Sequence, residues 1–193
     1  MLKLENIEIY WTGHAGFKIK GGGKTIYVDP FKIEEPEPAD YILITHSHYD
    51  HCSRDDLKKI SCEKTIIITV PDCISKIGET KLKDLKIIKP QESISFDDLA
   101  VEAVRAYNLN AEFHPKLNGW IGFLIDFLGK RLYFAGDTDF VPEMIELKDR
   151  NIDIAFLPVG GTYTMDYKSA AEAVNTIKPK IAVPMHYGKI VGT

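Results

Sequence analysis

Short apolar runs, many of them β-branched, recur along this chain and are stopped by glycine, proline or aspartate. Runs of that length read as strands. Residues 7–20 give two strands around Trp11-Thr12-Gly13-His14-Ala15-Gly16, and Gly21-Gly22-Gly23 turns the second back as a hairpin. A strand follows those glycines where a phosphate cradle would need a helix. Thr25-Ile26-Tyr27-Val28 is a strand ended by Asp29-Pro30, where proline stops the ladder and keeps Asp29 extended. Tyr41 to Thr45 is a buried strand that breaks into His46-Ser47-His48-Tyr49-Asp50-His51. Ser53 with Asp56 three residues on starts a helix to Ile60. A strand over 65–70 and a short helix over 72–77, capped by Asp72, come next. Strands at 92–96 and 99–106 lead to Tyr107-Asn108 and a polar loop carrying His114-Pro115-Lys116. Pro142 opens a helix over 143–148. Asp166 caps a helix through Ile177, with Ala170, Ala171, Val174 and Ile177 on one face. Ile181-Ala182-Val183 is the last strand and ends at Pro184-Met185-His186.

One stretch repeats another. Gly16-Phe17-Lys18-Ile19, a turn with Gly23, and Ile26-Tyr27-Val28 ending at Asp29 are echoed by Gly122-Phe123-Leu124-Ile125, a turn with Gly129, and Leu132-Tyr133-Phe134 ending at Asp137. Downstream, Asp40 and Tyr41-Ile42-Leu43-Ile44 correspond to Asp153 and Ile154-Ala155-Phe156-Leu157, which runs into Gly160-Gly161-Thr162. The pattern predicts an α/β domain of two related halves, each a sheet with helices outside, and strand ends that meet at one rim.

The histidines change the picture from fold to chemistry. His46 and His48 are two apart, so in extended chain they point to one side. Asp50 and His51 follow where the chain turns. Imidazole and carboxylate converging at a strand end suit a borderline divalent cation such as zinc. Of the six histidines, His46, His48, His51, His114 and His186 fall in or near such segments, and His14 ends a strand. The net charge of -4 argues against a surface that coats nucleic acid. No apolar run is long enough to span a membrane, and the first residues lack the core of a signal peptide, so a cytoplasmic location is expected. Cys52, Cys62 and Cys73 make no disulfide framework and are expected reduced. Cys52 reads as a small buried residue beside His51.

These segments resemble the metallo-β-lactamase superfamily. His46-Ser47-His48-Tyr49-Asp50-His51 matches its signature. Ala135-Gly136-Asp137-Thr138 is similar to its strand-end aspartate motif, and Val183-Pro184-Met185-His186 to its final histidine. Trp11-Thr12-Gly13-His14 and Asp29-Pro30 resemble the opening of the small, cap-less branch that includes UlaG-like lactonases and other metal-dependent hydrolases. The resemblance implies a four-layer αβ/βα sandwich spanning 1–193 as one domain, with a further C-terminal segment present in some relatives. It also implies two divalent ions: zinc first, with manganese, nickel or iron as alternatives. One ion would take His46, His48 and a mid-chain histidine; the other Asp50, His51 and His186; Asp137 would bridge them. The chain departs from the pattern at Asn108, which stands where that histidine belongs. His114 is expected to return to the metal, the alternatives being a weakened first site or a substrate-contacting His114.

Asp50 would orient a metal-bound hydroxide or take its proton. His14, Asp29 and Asn108 are candidates for supporting or substrate contacts, Asp29 as acceptor from a ligand imidazole. Gly160-Gly161-Thr162 reads as a tight turn or an anion-binding nest. Lys116 and Lys189 read as solvated charges or as attractors of an anionic group. The expected activity is hydrolysis of a small anionic lactone or phosphoester. The rivals are a phosphodiesterase or nuclease, and a metal- or ligand-binding protein with little turnover. The expected partner is a small-molecule substrate, with a homo-oligomer compatible with the sequence.

Overall fold

The computed structural model describes residues 1–110, 112–188, 190 and 191. The chain divides into two compact units, 1–88 and 89–193.

The first unit is built on a seven-stranded sheet whose spatial order follows the chain. Its strands are β1 (Leu2–Leu4), β2 (Ile7–Gly13), β3 (Gly16–Gly21), β4 (Lys24–Val28), β5 (Tyr41–Ile44), β6 (Ile66–Thr69) and β7 (Asp84–Ile87). β1 to β4 form an antiparallel meander; β5, β6 and β7 add on in parallel. The parallel part is the most apolar, as expected of strands covered on both faces: Ile42, Leu43, Ile67 and Ile68 have no exposed surface. Helix α1 (Arg54–Ile60) starts at Ser53, whose hydroxyl accepts from the Asp56 N–H. Helix α2 spans only Ile74–Ile77. The expected cap, Asp72, lies inside a preceding 3₁₀ turn over Pro71–Cys73. Its carboxylate accepts instead from the Ser47 hydroxyl at 2.7 Å.

The second unit repeats the plan in six strands, again in chain order. They are β8 (Ser93–Ser95), β9 (Leu99–Arg105), β10 (Ile121–Phe127), β11 (Lys130–Phe134), β12 (Ile154–Pro158) and β13 (Ile181–Met185). β8 to β11 are antiparallel; β12 and β13 are parallel additions. Helix α3 (Tyr167–Ile177) is capped by Asp166, as expected. The helix expected over 143–148 is a 3₁₀ segment over Pro142–Leu147.

The echo is real at the level of single bonds. In the first unit the Asp40 carboxylate accepts from the Thr25 N–H at 2.9 Å and the Asp40 N–H donates to the Thr25 carbonyl at 2.8 Å. In the second, Asp153 and Arg131 make the same two bonds, both at 2.8 Å. Gly16 and Gly122 also match. A Cβ at Gly16 would lie 2.9 Å from the Asp29 carbonyl, and one at Gly122 would lie 2.5 Å from the Phe134 carbonyl. Each glycine lets the end of the neighbouring strand pass at backbone distance, and an aspartate of the motifs stands at the first crossing, Asp29, and two residues beyond Ala135 at the second, Asp137.

Candidate metal centre

In the first unit the motif side chains follow strand ends, with Asp50 and His51 carried by the turn beyond β5. Asp29 follows β4 with φ +45°, so it is not extended as the proline rule suggested. Its own bonds hold it in that conformation. Its N–H donates to the Leu43 carbonyl at 3.0 Å. Its carboxylate accepts from the Thr45 N–H, the Thr45 hydroxyl and His51 Nδ1, each at 2.8 Å. One carboxylate thus ties the end of β4 to the end of β5 and orients an imidazole.

Two tautomers follow. His51 spends its Nδ1 proton on Asp29, so its Nε2 is the lone-pair nitrogen. The single proton of Thr45 Oγ1 goes to Asp29. Toward His46 Nδ1, 2.9 Å away, that hydroxyl can only accept, so Nδ1 carries the proton and Nε2 the lone pair. Asp50 accepts from His14 Nε2 at 2.8 Å, and His51 Nε2 lies 3.8 Å from the same oxygen. The rings crowd together, with centroids 4.7 Å apart for His46 and His48 and 4.1 Å for His46 and His51. Candidate ligand atoms of His14, Asp50 and His51 lie within 4.8 Å of one another, as do those of His46 and His48.

The second unit carries its own set of such side chains. Asp137 follows β11, buried at 4% exposure. Its Oδ2 lies 3.3 Å from His114 Nε2 and 3.0 Å from His186 Nε2. His114 is anchored through Asn108, whose Oδ1 accepts from the His114 N–H at 3.0 Å and from Nδ1 at 2.9 Å. Its Nε2 is therefore a lone pair aimed at a carboxylate lone pair. With a neutral imidazole, two acceptors face each other at that range, an arrangement that a divalent cation beside them would satisfy. Trp120 packs edge-on against the His114 ring, with centroids 5.4 Å apart. The buried set of imidazoles and carboxylates, with lone pairs turned into each half, fits a zinc-like cation.

The remaining candidates settle differently. Lys116 donates to Glu143 at 2.7 Å and to the Tyr107 hydroxyl at 3.2 Å. Those bonds hold its ammonium above the ordinary lysine range, and a cation so occupied makes a poor anion attractor. The Gly161 N–H donates to the Met165 carbonyl at 3.0 Å, which favours the tight turn over the nest. Cys52 is buried and its thiol meets Cys73. That hydrogen bond, then burial, pushes the Cys73 thiol up. Lys189 lies outside the described residues. Asp139, which the sequence reading passed over, accepts from Asn108 Nδ2 at 3.1 Å and from the Leu109 N–H at 2.8 Å. Its position two residues after Asp137 was the only signal.

Two sequential mixed sheets with strand-end histidines and aspartates define a class: α/β proteins with the metallo-β-lactamase fold. The chain belongs to the β-lactamase superfamily, whose domain family matches residues 8–186. A protein of Thermoplasma acidophilum named as a metal-dependent hydrolase is 40% identical over 195 residues, covering 95% of this chain and 84% of its own length. A crystal structure from Parabacteroides distasonis, of a protein described as a metal-dependent hydrolase, is similar with a TM-score of 0.85 and 36% identity. It covers 95% of this chain and 83% of that one. A metallo hydrolase of Ignicoccus hospitalis shares the fold, with a TM-score of 0.77 at 22% identity over 94% of this chain and 83% of its own.

Proposed function

We propose that this protein is a metal-dependent hydrolase of small lactones or phosphoesters, and that its two half-sets of donors serve one pair of divalent ions. His46, His48 and His114 would hold one ion and Asp50, His51 and His186 the other, with Asp137 shared. The observation that carries the reading is the fixed tautomer of His46, His51 and His114: each engages Nδ1 with a protein acceptor and offers Nε2 to the cluster. Such ions, when bound, polarise the bond under attack and bring water toward ionisation near neutral pH.

The chain's own groups do the rest. Asp50 takes the proton of the attacking water, with the His14 Nε2 bond at 2.8 Å holding its carboxylate in place. Asp29 keeps His51 and Thr45 in register, so the histidines do not turn their donor nitrogens toward the ions. Lys116 is spent on Glu143, so net negative charge on the substrate would be met by the cations when they are bound. That occupied lysine also weakens the nuclease reading, which needs a basic groove. His114 beside Asp137 weakens the binding-protein reading, which leaned on a missing third histidine. A cytoplasmic location agrees with the three free thiols.

The test is metal analysis of the purified protein with a lactone and phosphoester panel, before and after chelation. Two equivalents of metal and activity that vanishes with chelator and returns with zinc or manganese are expected. Turnover that survives complete metal removal sinks the reading.

A further inference from the structure

We infer that Asp139 is a positioning residue for His114, acting through the Asn108 side chain, so that Asn108 is the built-in holder of the displaced histidine and no substitute ligand. The inference rests on the reading of His114 as a metal ligand.

Asn108 has its whole side-chain capacity committed. Nδ2 donates to Asp139 Oδ1 at 3.1 Å and to the Tyr163 carbonyl at 3.0 Å. Oδ1 accepts twice from His114, at the backbone N–H and at Nδ1. Turning the amide over would set its NH₂ against two His114 donors and its oxygen against a carboxylate and a carbonyl, a loss of four hydrogen bonds. The orientation is therefore determined, and nothing on Asn108 remains to offer a cation. Asp139 supplies the negative charge behind that orientation. Its other oxygen takes the Leu109 N–H at 2.8 Å, so it also fixes where the excursion between Asn108 and His114 begins. The excursion closes on itself, because the Asn108 N–H donates to the His114 carbonyl at 2.8 Å. Asp139 is rigid in turn: its N–H donates to the Tyr107 carbonyl at 2.9 Å. The line runs from carboxylate to amide to imidazole Nδ1 and delivers the His114 lone pair toward Asp137. Elsewhere in the molecule the carboxylate touches the imidazole directly, as Asp29 touches His51. Here an amide is interposed because the histidine comes from a loop and the amide has to hold both its backbone and its ring.

Zinc titration against a competing chelator, on the full chain stripped of metal, decides the point. Wild type, Asp139→Ala, His114→Ala and the double variant are compared, with cobalt substitution to report the loss of an imidazole ligand. Asp139→Ala should weaken one of two equivalents by about 10–100-fold and leave the other unchanged, the usual effect of removing a support behind a ligand. The double variant should bind no worse than His114→Ala, since Asp139 acts only through His114. Wild-type affinity in Asp139→Ala while His114→Ala is weakened overturns the positioning role, as does additive loss in the double variant. Wild-type affinity in His114→Ala overturns instead the ligand reading beneath it. Should the alanine variant melt below the titration temperature, Asp139→Asn is titrated in its place. It cannot accept from both donors, so the same equivalent should weaken.

Discussion

Asp29 shows how much one buried carboxylate can do. With three acceptor bonds at 2.8 Å it joins two strand ends and sets two imidazole tautomers. Asp29→Ala should therefore lower metal affinity by about 10–100-fold and destabilise the metal-free protein by about 3 kcal/mol as well, because buried donors lose their acceptor. Calorimetric metal titration and urea unfolding read the two effects separately. The echoed tyrosines make a sharper contrast. Tyr27 and Tyr133 are both fully buried, but the Tyr27 hydroxyl accepts from the Glu37 N–H at 3.2 Å, while that of Tyr133 has no hydrogen-bond partner among the described residues. Burial pushes the Tyr133 phenol well up. Tyr133→Phe should be neutral or stabilising and Tyr27→Phe should cost about 1 kcal/mol, measured by urea unfolding.

Among the elements, the crossovers from hairpin to parallel strand are pinned by Asp40 and Asp153. Asp153 sits just before β12 and accepts from the Arg131 N–H and from Lys180 at 2.7 Å. Burial alone would raise its carboxyl, but the bonds from Lys180 and the Arg131 N–H outweigh it and hold the pKa below the ordinary value. A lowered folded pKa contributes stability that is complete above about pH 4, the unfolded value, and fades as the pH falls through the folded value. The destabilisation of Asp153→Asn should accordingly be present at pH 7 and shrink progressively as the pH falls below about 4 in denaturant unfolding. A destabilisation independent of pH would contradict this. The glycine crossings belong here too. Gly122→Ala places a Cβ against two backbone carbonyls, at 2.5 Å and 2.6 Å, which have no flexible end to yield. A loss of about 1–3 kcal/mol is expected from thermal unfolding.

For the whole molecule, metal and stability should be linked. A ligand that binds only the folded state at 100 times its dissociation constant adds about 2.7 kcal/mol. At about 2–4 °C per kcal/mol for a chain of this size, chelation should lower the melting temperature by about 5–10 °C. The loss should be recovered on adding zinc, and calorimetry with and without chelator measures it. An unchanged melting temperature would mean that the clusters hold no ion in solution.

Much of this was written in the sequence. The strands, both helix caps at Ser53 and Asp166, the repeated halves and the histidine motif depend on local alternation, breakers and spacing, which the chain carries residue by residue. The edge strands β1 and β7 escaped because short, half-exposed runs have little pattern to show. The tertiary structure alone decided that Asn108 holds His114, that Asp139 holds Asn108, that Lys116 is consumed by Glu143, and that Asp29 leaves the extended region. Most of these meetings join groups a dozen or more residues apart, and the six-residue return of His114 to Asn108 is itself set by the Asp139 bond from 31 residues on. Local propensity cannot report such meetings, because hydrogen-bond partners are chosen by packing in space and not by distance along the sequence.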